Sequence, residues 1–73
     1  MTENELNDIT LTPKETEIIR LIAEGLTTPL IATRLGLAGE TVKWYRKRIL
    51  DKFQASTSAE VVRKAIELKL IEI

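Results

Sequence analysis

Helix start and stop signals recur so closely along this sequence that no helix can run longer than roughly four turns. Thr12 precedes Pro13, and Glu15 stands three residues after Thr12. That is an N-cap, a residue suited to the first helical position, and the partner of a capping box. Ile18, Leu21 and Ile22 follow at helical spacing with Ile19 beside them, and Gly25 supplies a stop. The spacing predicts a first helix over 13–24. Thr27 or Thr28 can cap a second, with Pro29 in its first turn and Gly36 at its end. Ile31 and Leu35 share one face of it, and Ala32 is small enough for a neighbouring helix to approach. A helix of about two turns is not stable alone, so it must be packed on others. Leu37, apolar inside the following turn, is expected to point into the core. A third helix is expected over 39–53. Thr57 caps a fourth, and Glu60, three residues later, offers a second capping box. This last helix carries Val61, Val62, Ala65, Ile66 and Leu68, and Leu70, Ile71 and Ile73 trail off its end. No strand pattern and no internal repeat appears. Residues 1–10 lack sustained periodicity and read as a flexible tail or linker remnant. The expected fold is all-α: one compact four-helix domain over 11–73.

Residue content narrows the chemistry. The 73 residues include no Cys, which excludes disulfides and thiolate metal sites, and no His, the commonest metal ligand and general base. Ser56 and Ser58 have no activating base beside them. The expectation is therefore a protein that is not an enzyme and needs no metal or cofactor. No apolar run approaches the ~20 residues a membrane helix needs. The acidic, polar N-terminus is the opposite of a signal peptide. Together these favour a soluble, cytoplasmic protein with no membrane partner. An apolar content of 44% argues against a disordered chain.

A formal net charge of zero conceals an asymmetry. Residues 1–26 hold six acids and two bases, whereas residues 27–58 hold two acids and six bases. Thr41 to Phe53, TVKWYRKRILDKF, contains five of those bases and the only Trp, Tyr and Phe of the chain. On a helix, Val42, Ile49 and Phe53 form one apolar stripe with Tyr45 and Arg46 near its edge. Glu40, Lys43, Trp44, Lys47 and Asp51 lie on another face, flanked by Arg48 and Lys52. A short helix, a tight Gly-containing turn and a longer helix with an exposed basic face make a helix-turn-helix. A DNA major groove about 12 Å wide admits one such helix, with its back packed on a rigid support.

Residues 11–71 resemble the DNA-binding domain of the LuxR/GerE family, which also stands at the C-terminus of FixJ- and NarL-type response regulators. The matching pieces are LTPKETEIIRLIAEGLTT, IATRLGL, ETVKWYRKRILDKF and STSAEVVRKAIELKLI. The resemblance implies a four-helix domain of a bacterial transcription regulator that binds double-stranded DNA with its third helix in the major groove. Carried onto this chain, it implies that Lys43, Trp44 and Lys47 reach base edges. It implies that Thr41, Tyr45, Arg48 and Lys52 touch or lie near phosphates. Thr27 and Thr28 match another phosphate-contacting place, at a helix N-terminus that attracts anions. The chain departs from the family at Ala38 and Gly39, where Ser or Thr usually caps the third helix. It departs also at Leu30, where a Glu is usual, and at Gln54, where Gly is common.

Each functional reading has a plainer one beside it. Lys43 and Lys47 are either DNA contacts or ordinary solvated lysines. Trp44 either meets a base, through a thymine methyl or sugar edge, or is partly buried or held by a partner. Arg46 lies toward the packed side, so an ion pair with Glu15 or Glu17 is expected rather than DNA. Tyr45 is expected to pack its ring and offer its hydroxyl to a phosphate. Val61, Ala65 and Leu68 are either simply the core face of the fourth helix or part of an interface. With Val62, Ile66 and Ile73 facing elsewhere, the helix is apolar on more than one side, which points to a homodimer through Val61, Val62, Ala65 and Ile66. RNA polymerase is a further candidate partner. The rival function is a protein-interaction module in which the helix-turn-helix docks on another regulator or on polymerase. Its test is whether Lys43, Lys47 and Arg48 stay open or are neutralised by Glu3, Glu5 and Asp8.

Overall fold

A computed structural model of the chain describes residues 9–72. Four helices occur among them, with no strand: α1 Pro13–Ala23, α2 Thr28–Leu35, α3 Gly39–Phe53 and α4 Ser58–Glu67. The predicted all-α helix-turn-helix domain is the observed one, and α2, its turn and α3 form that unit. The expected tail falls mostly on residues 1–8, outside the described residues. Ile9 and Thr10, counted with that tail, belong to the packed unit instead. Ile9 packs partly buried against the core, and the Thr10 carbonyl accepts a hydrogen bond from Lys52 Nζ at 2.9 Å.

The helix starts follow their caps. Thr12 Oγ1 accepts the Glu15 N–H, while Glu15 Oε1 accepts the Thr12 N–H, so the first capping box is complete. At α4 only half of the expected box forms. Thr57 Oγ1 accepts the Glu60 N–H, but the Glu60 carboxylate reaches one residue further back and accepts the Ser56 N–H at 3.0 Å. Neither Thr27 nor Ala38 supplies a side-chain cap to α2 or α3.

All four helices end alike. The chain turns into the left-handed region at Gly25, Gly36, Gln54 and Lys69. The next amide then donates back to the last full turn: Leu26 to Leu21, Leu37 to Ala32, Ala55 to Leu50 and Leu70 to Ala65. This is the Schellman closure, and only two of the four sites have the glycine it prefers. Gln54 at φ 51° and Lys69 at φ 59° hold a conformation that costs an L-residue about 1–2 kcal/mol. The turn at Lys69 has a structural return. It swings Ile71 back beneath the helices, where it is 2% exposed, so Ile71 belongs to the core rather than to a trailing end.

The core draws on every element. Ile18, Ile19 and Leu21 of α1 meet Ile31 and Ala32 of α2, Val42, Ile49 and Phe53 of α3, and Val61 and Ala65 of α4. The apolar stripe expected of α3 is fully buried. Leu37 is partly buried and packed against the core, as its place in the turn suggests, which fixes α3 relative to α2. With its back sealed in this way, α3 presents its opposite face outward.

Three stability changes follow. Gln54→Gly removes the left-handed strain and raises unfolding stability by about 1 kcal/mol, and Ala38→Ser supplies the missing cap for a similar gain. Phe53→Ala, at a site 1% exposed, lowers it by roughly 3–5 kcal/mol, enough to unfold most of a domain this small. Urea melts followed by circular dichroism measure all three.

Candidate nucleic-acid interface

The outward face of α3 is built from side chains spaced three and four apart, which stack on one side of a helix. Trp44 is 55% exposed, and Lys43, Lys47, Glu40 and Asp51 are exposed beside it. Lys43 makes a loose pair with Glu40 at 3.5 Å, with both side chains largely in water, so the lysine remains available. Lys47 has no ion pair or hydrogen bond with the described residues. The structure therefore brings Lys43, Trp44 and Lys47 together on one open surface.

Arg48 and Lys52 stand at the edge of that face and are engaged from behind. Glu15 of α1 is 0% exposed, the single buried charged side chain among the described residues. Its Oε2 accepts from Arg48 Nε at 3.0 Å, and its Oε1 accepts from Lys52 Nζ at 2.7 Å. Burial alone would push this carboxyl up. The Lys52 ammonium, the Thr12 N–H and the Arg48 guanidinium together outweigh burial and hold it below the ordinary glutamate value of 4.5. The Glu60 carboxyl is also held low, first by the Ser56 N–H and then by Lys64 against the effect of burial. Arg48 remains half-exposed; Nε is its one nitrogen hydrogen-bonded to the described residues, and its guanidinium also lies over the Trp44 ring. Lys52 uses two of its three N–H donors inside the protein, on Thr10 and Glu15.

Sequence reasoning missed Glu15 as the hub of this network. A signal was present: Glu15 lies three, four and seven residues before Ile18, Ile19 and Ile22, on the apolar stripe of α1. A carboxylate in that position needs cations from elsewhere in the fold.

Arg46 is the clear correction. It does not pair with Glu15 or Glu17. Its guanidinium donates to Thr28 Oγ1 at 3.3 Å and to Ser58 Oγ at 2.7 Å, so it bridges the first turns of α2 and α4. The position of Arg46 on α3 faces those helix starts, whereas Glu15 lies on the side of Arg48 and Lys52. Thr28 is thus tied to α3, and Thr27, its neighbour, is exposed at the N-terminus of α2. Thr41 and Tyr45 are partly buried at the margin of the outward face, and the Tyr45 ring packs on the core. Leu30, at the family's usual Glu position, is 55% exposed.

On α4 the two apolar sides separate. Val61 and Ala65 are buried in the domain's own core, so neither is available to a second copy. Val62 is partly exposed and Ile66 is 41% exposed. Glu3, Glu5 and Asp8 lie outside the described residues. No cluster able to hold a metal ion occurs among the described residues, and no helix there is long and apolar enough to cross a membrane.

The sequence pattern of the "Bacterial regulatory proteins, luxR family" matches residues 9–65. Over 54 residues, 74% of the chain, 41% are identical to the tetrathionate response regulatory protein TtrR of Salmonella typhimurium, of which 26% is covered. Over 59 residues, 81% of the chain, 41% are identical to the nitrate/nitrite response regulator protein NarL of Escherichia coli, of which 26% is covered. The transcriptional regulatory protein FixJ of Bradyrhizobium diazoefficiens is 30% identical over 61 residues, 84% of the chain and 30% of that protein. The chain thus spans less than a third of the length of these three relatives.

The low carboxyl of Glu15 gives a signed pH dependence. A depressed folded-state pKa contributes stability that is complete above the unfolded value of 4.5 and is lost as pH falls through the lower folded value. Parent stability is expected to be flat from pH 7 down to about 5 and to drop below that. Glu15→Gln, which leaves Lys52 and Arg48 without their buried partner, is expected to lower stability by about 3 kcal/mol at pH 7. The gap between variant and parent should narrow in acid. Urea melts from pH 7 to pH 3 test this, and a gap that stays constant with pH refutes the role given to the carboxylate charge.

Proposed function

We propose, for a chain that belongs to the luxR family of bacterial regulatory proteins, that this DNA-binding domain reads specific sequences with α3 in the major groove. The observation that carries this reading is the division of α3 into two faces. Val42, Ile49 and Phe53 are sealed in the core, while Lys43, Trp44 and Lys47 stand exposed on the opposite side. A helix so mounted can enter a groove without disturbing its own support.

Each side chain then has a task set by its reach and chemistry. Lys43 and Lys47 donate to base-edge acceptors, and Trp44 offers an apolar edge to a thymine methyl. Thr27 and Thr28 place hydroxyls and free backbone N–H groups at the N-terminus of α2, where a phosphate is favoured by the helix dipole. Thr41 and Tyr45 contact the neighbouring strand's phosphates with their hydroxyls. Arg48 turns its terminal nitrogens, and Lys52 its remaining N–H, to the same backbone. Such a ligand implies a cytoplasmic protein. It also implies a binding rather than an enzymatic role, with no cofactor. The described residues 9–72 belong to this one domain.

Homodimerisation on two half-sites accompanies this reading. The surface for it is Val62 and Ile66, the apolar side of α4 that the core does not use. A two-fold pairing makes such a patch self-complementary. Ile66→Glu should abolish two-to-one binding on a palindromic site while leaving the melting curve of the single domain nearly unchanged. A one-to-one complex for the parent on every site would refute the dimer.

Selection from a random DNA pool, followed by polarisation assays on single-base variants of the selected site, tests the base-reading role. Lys47→Ala should lose about 1–3 kcal/mol of discrimination at particular base pairs and keep binding at the others. Equal weakening on all sequences would place Lys47 on the backbone and overturn this orientation of α3.

A further inference from the structure

We propose that Arg48 and Glu15 are positioning residues for Trp44, holding its indole rigid on the outward face of α3 as a preorganised reader of a thymine methyl. This rests on the reading of α3 as the base-reading helix.

A tryptophan that is 55% exposed has little packing to fix its side-chain torsions. Trp44 nevertheless has two flanking contacts. The guanidinium carbon of Arg48, one turn along α3, lies 5.3 Å from the indole centroid, within cation–π range. The Tyr45 ring meets the indole edge-on, with centroids 5.0 Å apart and planes at 76°. Arg48 is itself restrained, because its Nε donates to Glu15 Oε2 at 3.0 Å. Glu15 is immobile in turn: it is fully buried, and its other oxygen accepts from Lys52 and from the Thr12 N–H. Order therefore passes from a buried carboxylate on α1, through a half-exposed guanidinium, to an exposed indole on α3.

Only arginine can link these two partners. Its planar group donates to a carboxylate along an edge while presenting a face to an aromatic ring, whereas a lysine ammonium is a point charge without either geometry. A role confined to phosphate contact would not require this, since lysine neutralises a phosphate as well. The benefit for recognition is entropic. An apolar contact discriminates between bases best when its side chain is not immobilised at the moment of binding.

Trp44 is the only tryptophan of the chain, so its fluorescence reports on this one site. The test is Arg48→Lys, which keeps the positive charge and removes the plane. Time-resolved anisotropy of the free protein should show faster and wider local motion of the indole. Discrimination at the base pair that Trp44→Ala also relaxes should fall by about two- to fivefold, the size of an exposed cation–π contact. The salt dependence should not change, because the charge is kept. Any altered phosphate contact shifts affinity for all sequences alike and leaves discrimination at other base pairs as it was, and the double variant should show no further loss of discrimination. Glu15→Asp, with its fold checked by circular dichroism, draws the carboxylate back from Arg48 and should loosen the indole in the same way. Unchanged anisotropy and unchanged base preference in Arg48→Lys overturn the proposal. A looser indole in a chain whose parent shows no sequence preference overturns the base-reading premise alone and leaves the positioning contact standing.

Discussion

One buried carboxylate organises this domain. Glu15 closes the capping box of α1, accepts from Lys52 and Arg48 of α3, and has no exposure to solvent. Burying such a charge is tolerable only because three donors converge on its two oxygens. No buried side-chain polar atom among the described residues lacks a partner. The network therefore adds direction to a core that is otherwise apolar and short-ranged in its preferences. Hydrophobic packing holds α3 against α1, and the carboxylate fixes which edge of α3 faces which end of α1.

That constraint also sorts the basic residues, which look equivalent when counted. Five bases lie between Thr41 and Phe53. Arg46 bridges the starts of α2 and α4, Lys52 and Arg48 are tied to Glu15, and Lys43 and Lys47 stand in water. Among the described residues, Glu15 is buried behind that surface, and Glu40 and Asp51 share the outward face with Lys43 and Lys47. The low overall charge bears on how strongly the domain meets a polyanion and not on which face it uses.

Much of this is legible in the chain itself. Capping residues, glycine stops and the spacing of Ile18, Ile31, Val42, Ile49 and Phe53 are local signals, and they locate the four helices to within a residue or two. The division of α3 into a packed and an open face follows from the same periodicity. What is not legible depends on contacts between residues far apart in the chain. Arg48 and Lys52 meet Glu15 across separations of 33 and 37 residues, and Arg46 meets Thr28 and Ser58 across 18 and 12. No spacing rule encodes such pairs, so periodicity assigns Arg46 to the wrong partner. Ile71 is misplaced for a different reason: a left-handed lysine at position 69 is a turn that propensity does not favour. On α4, periodicity separates Val61 and Ala65 from Val62 and Ile66, and the first pair is the buried one.

The span between Glu15 and its partners also bears on how the domain is made. During synthesis, Glu15 precedes Lys52 by 37 residues. Until the C-terminal part of α3 exists, the carboxylate has no cation to meet and favours solvent over a nascent core. Helical turns form in well under a millisecond, and closing a loop of this length adds only a slowly growing entropic cost. The surface that carries Arg48 takes shape only when α1 and α3 dock. A chain that stops before Lys52 keeps Glu15 without its ammonium partner, so it lacks one of the two contacts that orient α3 on α1.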